Sequence, residues 1–148
     1  MSLTRANVEV ILIARVGALM TEAGMDGTTV DGTNADLNDP IGWAVRQLDY
    51  TVASVVLVAT ADVANVAEAE YDEFFDYGEY RALQNIRGNL ALVDIRQGPQ
   101  DQKFSQLAEQ IGAMLATMKS DMERSYGFGL SEIGSGTITQ EYLEQVET

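Results

Sequence analysis

The residues best suited by type and spacing to chemistry are six carboxylates, Glu68, Glu70, Asp72, Glu73, Asp76 and Glu79, interleaved with Tyr71, Phe74, Phe75, Tyr77 and Tyr80. Paired carboxyl groups perform acid/base or glycosidic chemistry when their environments push their pKa values apart. Helical spacing puts Asp72, Asp76 and Glu79 on one face opposite the rings, so the expectation is a solvated acidic face and not a catalytic pair. A second cluster, Asp26, Asp31, Asn34, Asp36, Asn38 and Asp39, invites calcium ligation. The register of a calcium loop is missing: counted from Asn34, no glycine stands sixth and no glutamate twelfth. Turn formation and helix capping account for this run instead. Gly129-Leu130-Ser131-Glu132-Ile133-Gly134 has the outline of a nucleophile elbow, but its second glycine comes one residue late and the chain has no histidine to activate a serine. Neither Lys103 nor Lys119 follows a glycine-rich turn, which removes a phosphate loop.

Composition narrows the chemistry further. With no cysteine there are no disulfides and no thiolate, and with no histidine the usual base near neutral pH and the commonest zinc ligand are missing. The expectation is a protein that is not an enzyme and has no catalytic, metal or cofactor-binding residues. Its 148 residues suit one ordinary domain, which buries roughly 70% of the surface of the unfolded chain. A hydrophobic content of 46% supports a core, and 13 glycines leave room for loops or arms. Twenty-three acidic against nine basic residues give a formal charge of −14, which repels a polyanion and argues against general nucleic-acid binding. Solubility and a saline habitat are the bland explanations of that charge. Arg5, Glu9 and Arg15 interrupt the first 24 residues, unlike a secretory signal, and the apolar run from Val52 to Ala61 is about half a bilayer span. A soluble protein without a membrane partner is expected.

These residues must be positioned by helices. Thr4 caps a first helix to about Ala23, with Val8, Ile11, Leu12, Val16, Leu19 and Met20 on one side and Gly24 as its stop. Residues 26–38 read as an exposed loop. Asp39-Pro40 is a helix start, its carboxylate accepting from an open amide, and Ile41, Trp43, Ala44, Val45 and Leu48 form the buried side. Val52 to Val58 suits either a short strand or a buried helix end, and helix is the reading adopted. A further helix begins at Thr60 or Asp62 and carries Val63, Val66, Ala67, Tyr71, Phe74 and Phe75. Gly78 is a candidate break, after which Tyr80, Leu83, Ile86, Leu90 and Val93 continue to about Asp94.

The C-terminal third carries the clearest pattern. Phe104, Leu107, Ala108, Ile111, Met114, Leu115, Met118 and Met122 recur at steps of three and four, the stripe of one helix from Pro99 to Tyr126, on the order of 42 Å long. Phe104, Leu107, Ile111, Leu115, Met118 and Met122 are the candidate helix-packing or self-association positions. Gly127 offers a left-handed stop, and the glycine-rich run 127–136 reads as a hinge before a short helical tail with Thr137 and Gln140 as a capping box. Such a tail cannot hold a helix alone and docks either on its own domain or on a partner. The fold class expected is mostly α: a small helical bundle, residues 1–127, with one long C-terminal helix and an extended arm, residues 128–148.

Four stretches together resemble the head-to-tail adaptor proteins of long-tailed bacteriophages and gene transfer agents. They are the Asp39-Pro40 start, YGEYRALQNIRGNLALVDIRQGPQ from Tyr77 to Gln100, the helix FSQLAEQIGAMLATM, and its SYG ending at Ser125 to Gly127. The resemblance spans residues 39–127. It implies a virion subunit, assembled in the host cytoplasm, that forms a twelve-membered ring below the portal protein and extends the DNA channel. On its other side the ring meets a tail-side stopper or tail-terminator protein. It implies also that the arm reaches the portal, with Phe128, Ile133, Ile138, Tyr142, Leu143 and Val146 as anchors. DNA would pass an acidic wall without specific binding. The polar run 26–38 and the β-branched run 52–58 depart from the family pattern. The competing classes are a small acidic helical binding module that offers its acidic aromatic face to a basic partner, and an enzyme using carboxylates with a divalent ion.

Overall fold

The computed structural model describes residues 2–54, 56–97 and 102–128, and all of its regular elements are helical. These are α1 (Arg5–Glu22), a 3-10 turn (Ala35–Leu37), α2 (Asn38–Gln47), α3 (Thr60–Val63), a second 3-10 turn (Glu68–Glu70), α4 (Tyr71–Gln97) and α5 (Gln102–Tyr126). Contacts group the chain into two compact units, Met1–Leu115 and Ala116–Thr148. The protein is mostly α, and the expected helical bundle is present in the first unit. No described helix is long and apolar enough to cross a membrane.

Thr4 starts α1 with a capping box: its hydroxyl accepts from the Asn7 amide, and the Asn7 side chain accepts from the Thr4 amide. Gly24, at φ +77°, follows the last turn. α1 and α2 both pack on α4. The core between them holds Val8, Leu12, Val16 and Met20 of α1, Ile41, Ala44 and Val45 of α2, and Phe74, Leu83, Ile86 and Leu90 of α4, none more than 2% exposed. Burial of such side chains is worth roughly 1.5–3 kcal/mol each, which is why a helix of modest intrinsic propensity is stable here.

Three expectations are corrected. Val52–Val58 is not helical in its described residues. α2 ends when Asp49 takes a left-handed conformation (φ +69°) and the Tyr50 amide donates back to the Val45 carbonyl. Side chains then supply the hydrogen bonds that a helix would have made: Asp62 accepts from the amides of Ala53 and Ala59, Asn38 accepts from the Val58 amide, and Arg5 donates to the Val58 carbonyl. The helix expected from Thr60 lasts only to Val63, and α4 starts afresh at Tyr71. Gly78 does not break α4. The glycine faces α1, where an added Cβ would sit 3.3 Å from Leu12 Cδ2, so the missing side chain lets the two helices approach.

The run 26–38 is a loop, yet it is not simply exposed. Gly27 and Asn34 are buried, and a Cβ on Gly27 would overlap the Gly17 carbonyl oxygen, so two glycines let the loop lie directly on α1. α2 begins at Asn38, one residue before the expected Asp39, and without a side-chain cap. Asp39 instead pairs with Arg81 of α4 at 2.8 Å and accepts from Asn85 at 2.8 Å, tying the start of α2 to α4.

Candidate functional site

The acidic aromatic segment is built into the fold more deeply than a solvated face would be. Phe74 and Phe75 are 1% and 6% exposed, so the rings belong to the core. Asp72 is exposed, whereas Asp76 and Glu79 turn toward α1 and accept from the guanidinium of Arg15 at 3.1 and 3.0 Å. The same guanidinium lies 5.8 Å from the centre of the Phe75 ring. Tyr77 donates to Glu73 and Tyr50 to Glu70, each at 2.6 Å. The bond to Glu70 raises the Tyr50 phenol above its ordinary pKa, and burial adds to the effect. Four of the six carboxylates therefore have partners within the chain. Among the described residues no group of three acidic side chains converges to hold a metal ion.

The Asp/Asn run makes turns. Asp26 accepts from the amides of Thr28 and Thr29, and Asp31 from the amide and hydroxyl of Thr33. Hydrogen bonds from Thr29 and Thr28 hold the Asp26 carboxyl below its usual pKa, and those from Thr33 do the same for Asp31. Asn34 caps the 3-10 turn by accepting from the Asp36 amide, while its side-chain amide donates to the carbonyls of Asp26 and Thr29. Burial acts to raise Asp39, but hydrogen bonds from Arg81 and Asn85, with the charges of Arg81 and Arg46, outweigh it and lower its pKa.

The polar centre that sequence reasoning missed is Arg5 with Glu9, 2% and 0% exposed. Arg5 Nε donates to Glu9 at 2.9 Å, its Nη1 to the Val58 carbonyl and the Asn38 side chain, and its Nη2 to the Asn34 carbonyl at 2.7 Å. Glu9 also accepts from the amides of Gly32 and Asn34, at 2.7 and 2.9 Å. A buried ion pair is tolerated when its other donors and acceptors find partners, and here the partners of Arg5 and Glu9 close two loops onto α1. The sequence held a signal: Arg5 and Glu9 are one turn apart and fall in the arc of Val8 and Leu12, where an exposed charge has no place.

Of the six α5 positions singled out, Ile111 is fully buried, Leu115 is 9% and Met122 2% exposed, and Leu107 and Met118 are half-buried. The Phe104 side chain lies outside the described residues. Met114 is exposed. α5 stops at Gly127, φ +72°, whose amide donates to the Glu123 carbonyl while that of Phe128 donates to the Met122 carbonyl. Phe128 is 8% exposed. Ile133, Ile138, Tyr142, Leu143 and Val146, the elbow-like run 129–134 and the segment Gly98–Asp101 all fall outside the described residues. No family model, curated protein or solved structure matches this chain.

Proposed function

We propose that the chain is a structural virion protein, a head-to-tail adaptor that assembles as a ring below the portal, extends the DNA channel and offers the tail a docking surface. The observation that carries this reading is where the resembling stretches lie. Asp39-Pro40 opens α2 and ties it to α4, Tyr77 to Gln97 lies on α4, and FSQLAEQIGAMLATM and Ser125-Tyr126 lie on α5, whose stop is Gly127. The −14 charge suits a channel wall along which DNA slides. Phe128, Ile133, Ile138, Tyr142, Leu143 and Val146 anchor the arm on the portal in this reading.

A binding module that shows its acidic aromatic face to a basic partner is less well supported, because Phe74 and Phe75 are core residues and Asp76 and Glu79 are engaged by Arg15. The test is affinity purification of the tagged chain from its source lysate, followed by electron microscopy. The adaptor reading expects portal rings or capsid vertices, lost when residues 128–148 are deleted. A lone monomer, or a non-viral basic partner retained after that deletion, overturns it.

A further inference from the structure

Two apolar surfaces of the first unit lie on opposite sides of α1, with a positive charge beside one and a negative charge beside the other. One is a projection. Val56 is 83% and Leu57 44% exposed, a large apolar exposure for a segment whose base is firmly held. That base is Val58, 1% exposed, with its amide and carbonyl bonded to Asn38 and Arg5, and Ala59, whose amide donates to Asp62. Arg46, exposed on α2, brings its guanidinium to the same place: a Cβ on Gly42 would sit 3.1 Å from Val58 Cγ2 and 3.5 Å from Arg46 Nη1.

The other is an open groove of about 400 Å³ between the start of α1 and the approach to α4. Leu3, Val10, Ile11 and Tyr71 form its apolar lining, and Asn7 and the exposed Glu68 stand at its rim. Val10 is 50% exposed. A helix turns roughly 100° per residue, so Arg5 and Glu9, which hold the loops, point away from Asn7, Val10 and Ile11. The projection and the groove are thus separated by the body of α1, and one chain cannot fill its own groove with its own projection.

We propose that Val56 and Leu57 of one copy enter this groove on the next, a head-to-tail contact with Arg46 of the first copy facing Glu68 of the second. Charge selects this arrangement. Pairing like surfaces would set Arg46 against Arg46 or Glu68 against Glu68, whereas head-to-tail pairing sets opposite charges together. Two inserted side chains cover much less than the roughly 1,000 Å² that a stable pair needs, so a single contact is weak. Closure into a ring, in which every copy uses both surfaces, supplies the remaining stability. The closure rests on the ring reading given above; the contact itself rests on the two surfaces.

The chain has no cysteine, which makes disulfide trapping direct. Leu57→Cys and Val10→Cys in the same chain cannot bridge within it, because α1, about 10 Å across, stands between positions that must approach within about 7 Å. Mild oxidation is expected to give a ladder of cross-linked dimer, trimer and higher species, while an equal mixture of the two single variants stops at dimer. A control with Val10→Cys and Gly88→Cys, the latter an open position of α4 in the same unit, should give no ladder. Adding Glu68→Arg should cut the ladder on the order of tenfold, and adding Arg46→Glu to that should restore it. No ladder above the control overturns the contact. If the unmodified chain then still self-associates in sedimentation, other surfaces build the assembly and the ring reading stands. If it is monomeric, portal co-purification decides that reading separately.

Discussion

Replacing Arg5 with methionine removes the charge that the wholly buried Glu9 faces at 2.9 Å, and leaves the carbonyls of Val58 and Asn34 without their donors. Breaking a buried pair from one side costs about 3–5 kcal/mol, because the surviving charge is left uncompensated. Glu9→Met acts from the other side, stranding Arg5 and the amides of Gly32 and Asn34, and the same cost of about 3–5 kcal/mol is expected. The double variant carries no stranded charge, but four backbone groups still lose their partners. At about 1 kcal/mol or somewhat more for each, the loss is about 4–6 kcal/mol and not the 6–10 of the summed single variants. The coupling is therefore about 2–4 kcal/mol, a large share of the 5–15 kcal/mol by which domains are stable. Urea unfolding of the four proteins of the cycle, followed by Trp43 fluorescence, measures it. Hydrogen exchange should find the Gly32 and Asn34 amides losing protection before the core of α4. Additive single variants, or an Arg5→Met cost below about 1 kcal/mol, would refute the clasp.

Gly27→Ala should destabilise by about 2 kcal/mol or more, since the new methyl meets the Gly17 carbonyl; calorimetry compares it with Gly88→Ala, whose added Cβ has open space and should stabilise by up to about 1 kcal/mol. Arg15→Ala removes two half-exposed ion pairs and a ring contact, a loss of about 0.5–1 kcal/mol in urea, halved or better by high salt. Asp26, Asp31 and Asp39 have lowered folded pKa values, so their contribution is complete above the ordinary carboxylate range near about 4 and is lost as pH falls through the lowered values; the urea midpoint should drop there, less steeply in Asp39→Asn. Tyr50 behaves oppositely: its raised pKa places its contribution below about pH 10, lost as pH rises through the folded value, and phenol absorbance should titrate late unless Glu70→Gln removes the partner.

What the sequence by itself determined was local. The Thr4 cap, the Gly24 and Gly127 stops and the apolar period of α1, α4 and α5 act within one or two turns of helix, so type and spacing carried them. Composition likewise removed thiol and imidazole chemistry without any need of coordinates. Tertiary structure decided what the isolated pattern left open. Val52–Val58 has the composition of a strand and the place of a helix extension, and its described residues became neither because Asn38 and Arg5, distant in the chain, and nearby Asp62 supply their hydrogen bonds. Gly78 reads as a breaker, yet a glycine facing Leu12 is a contact surface, and only the packing of α1 on α4 shows which way it faces. The place of Arg5 and Glu9 in the arc of Val8 and Leu12 marks them as inward-facing, but only the 26–38 loop, held close by Gly27 against Gly17, supplies the groups that cover and bond them. A helix in isolation shows which way a charged pair faces, and not what is folded over it.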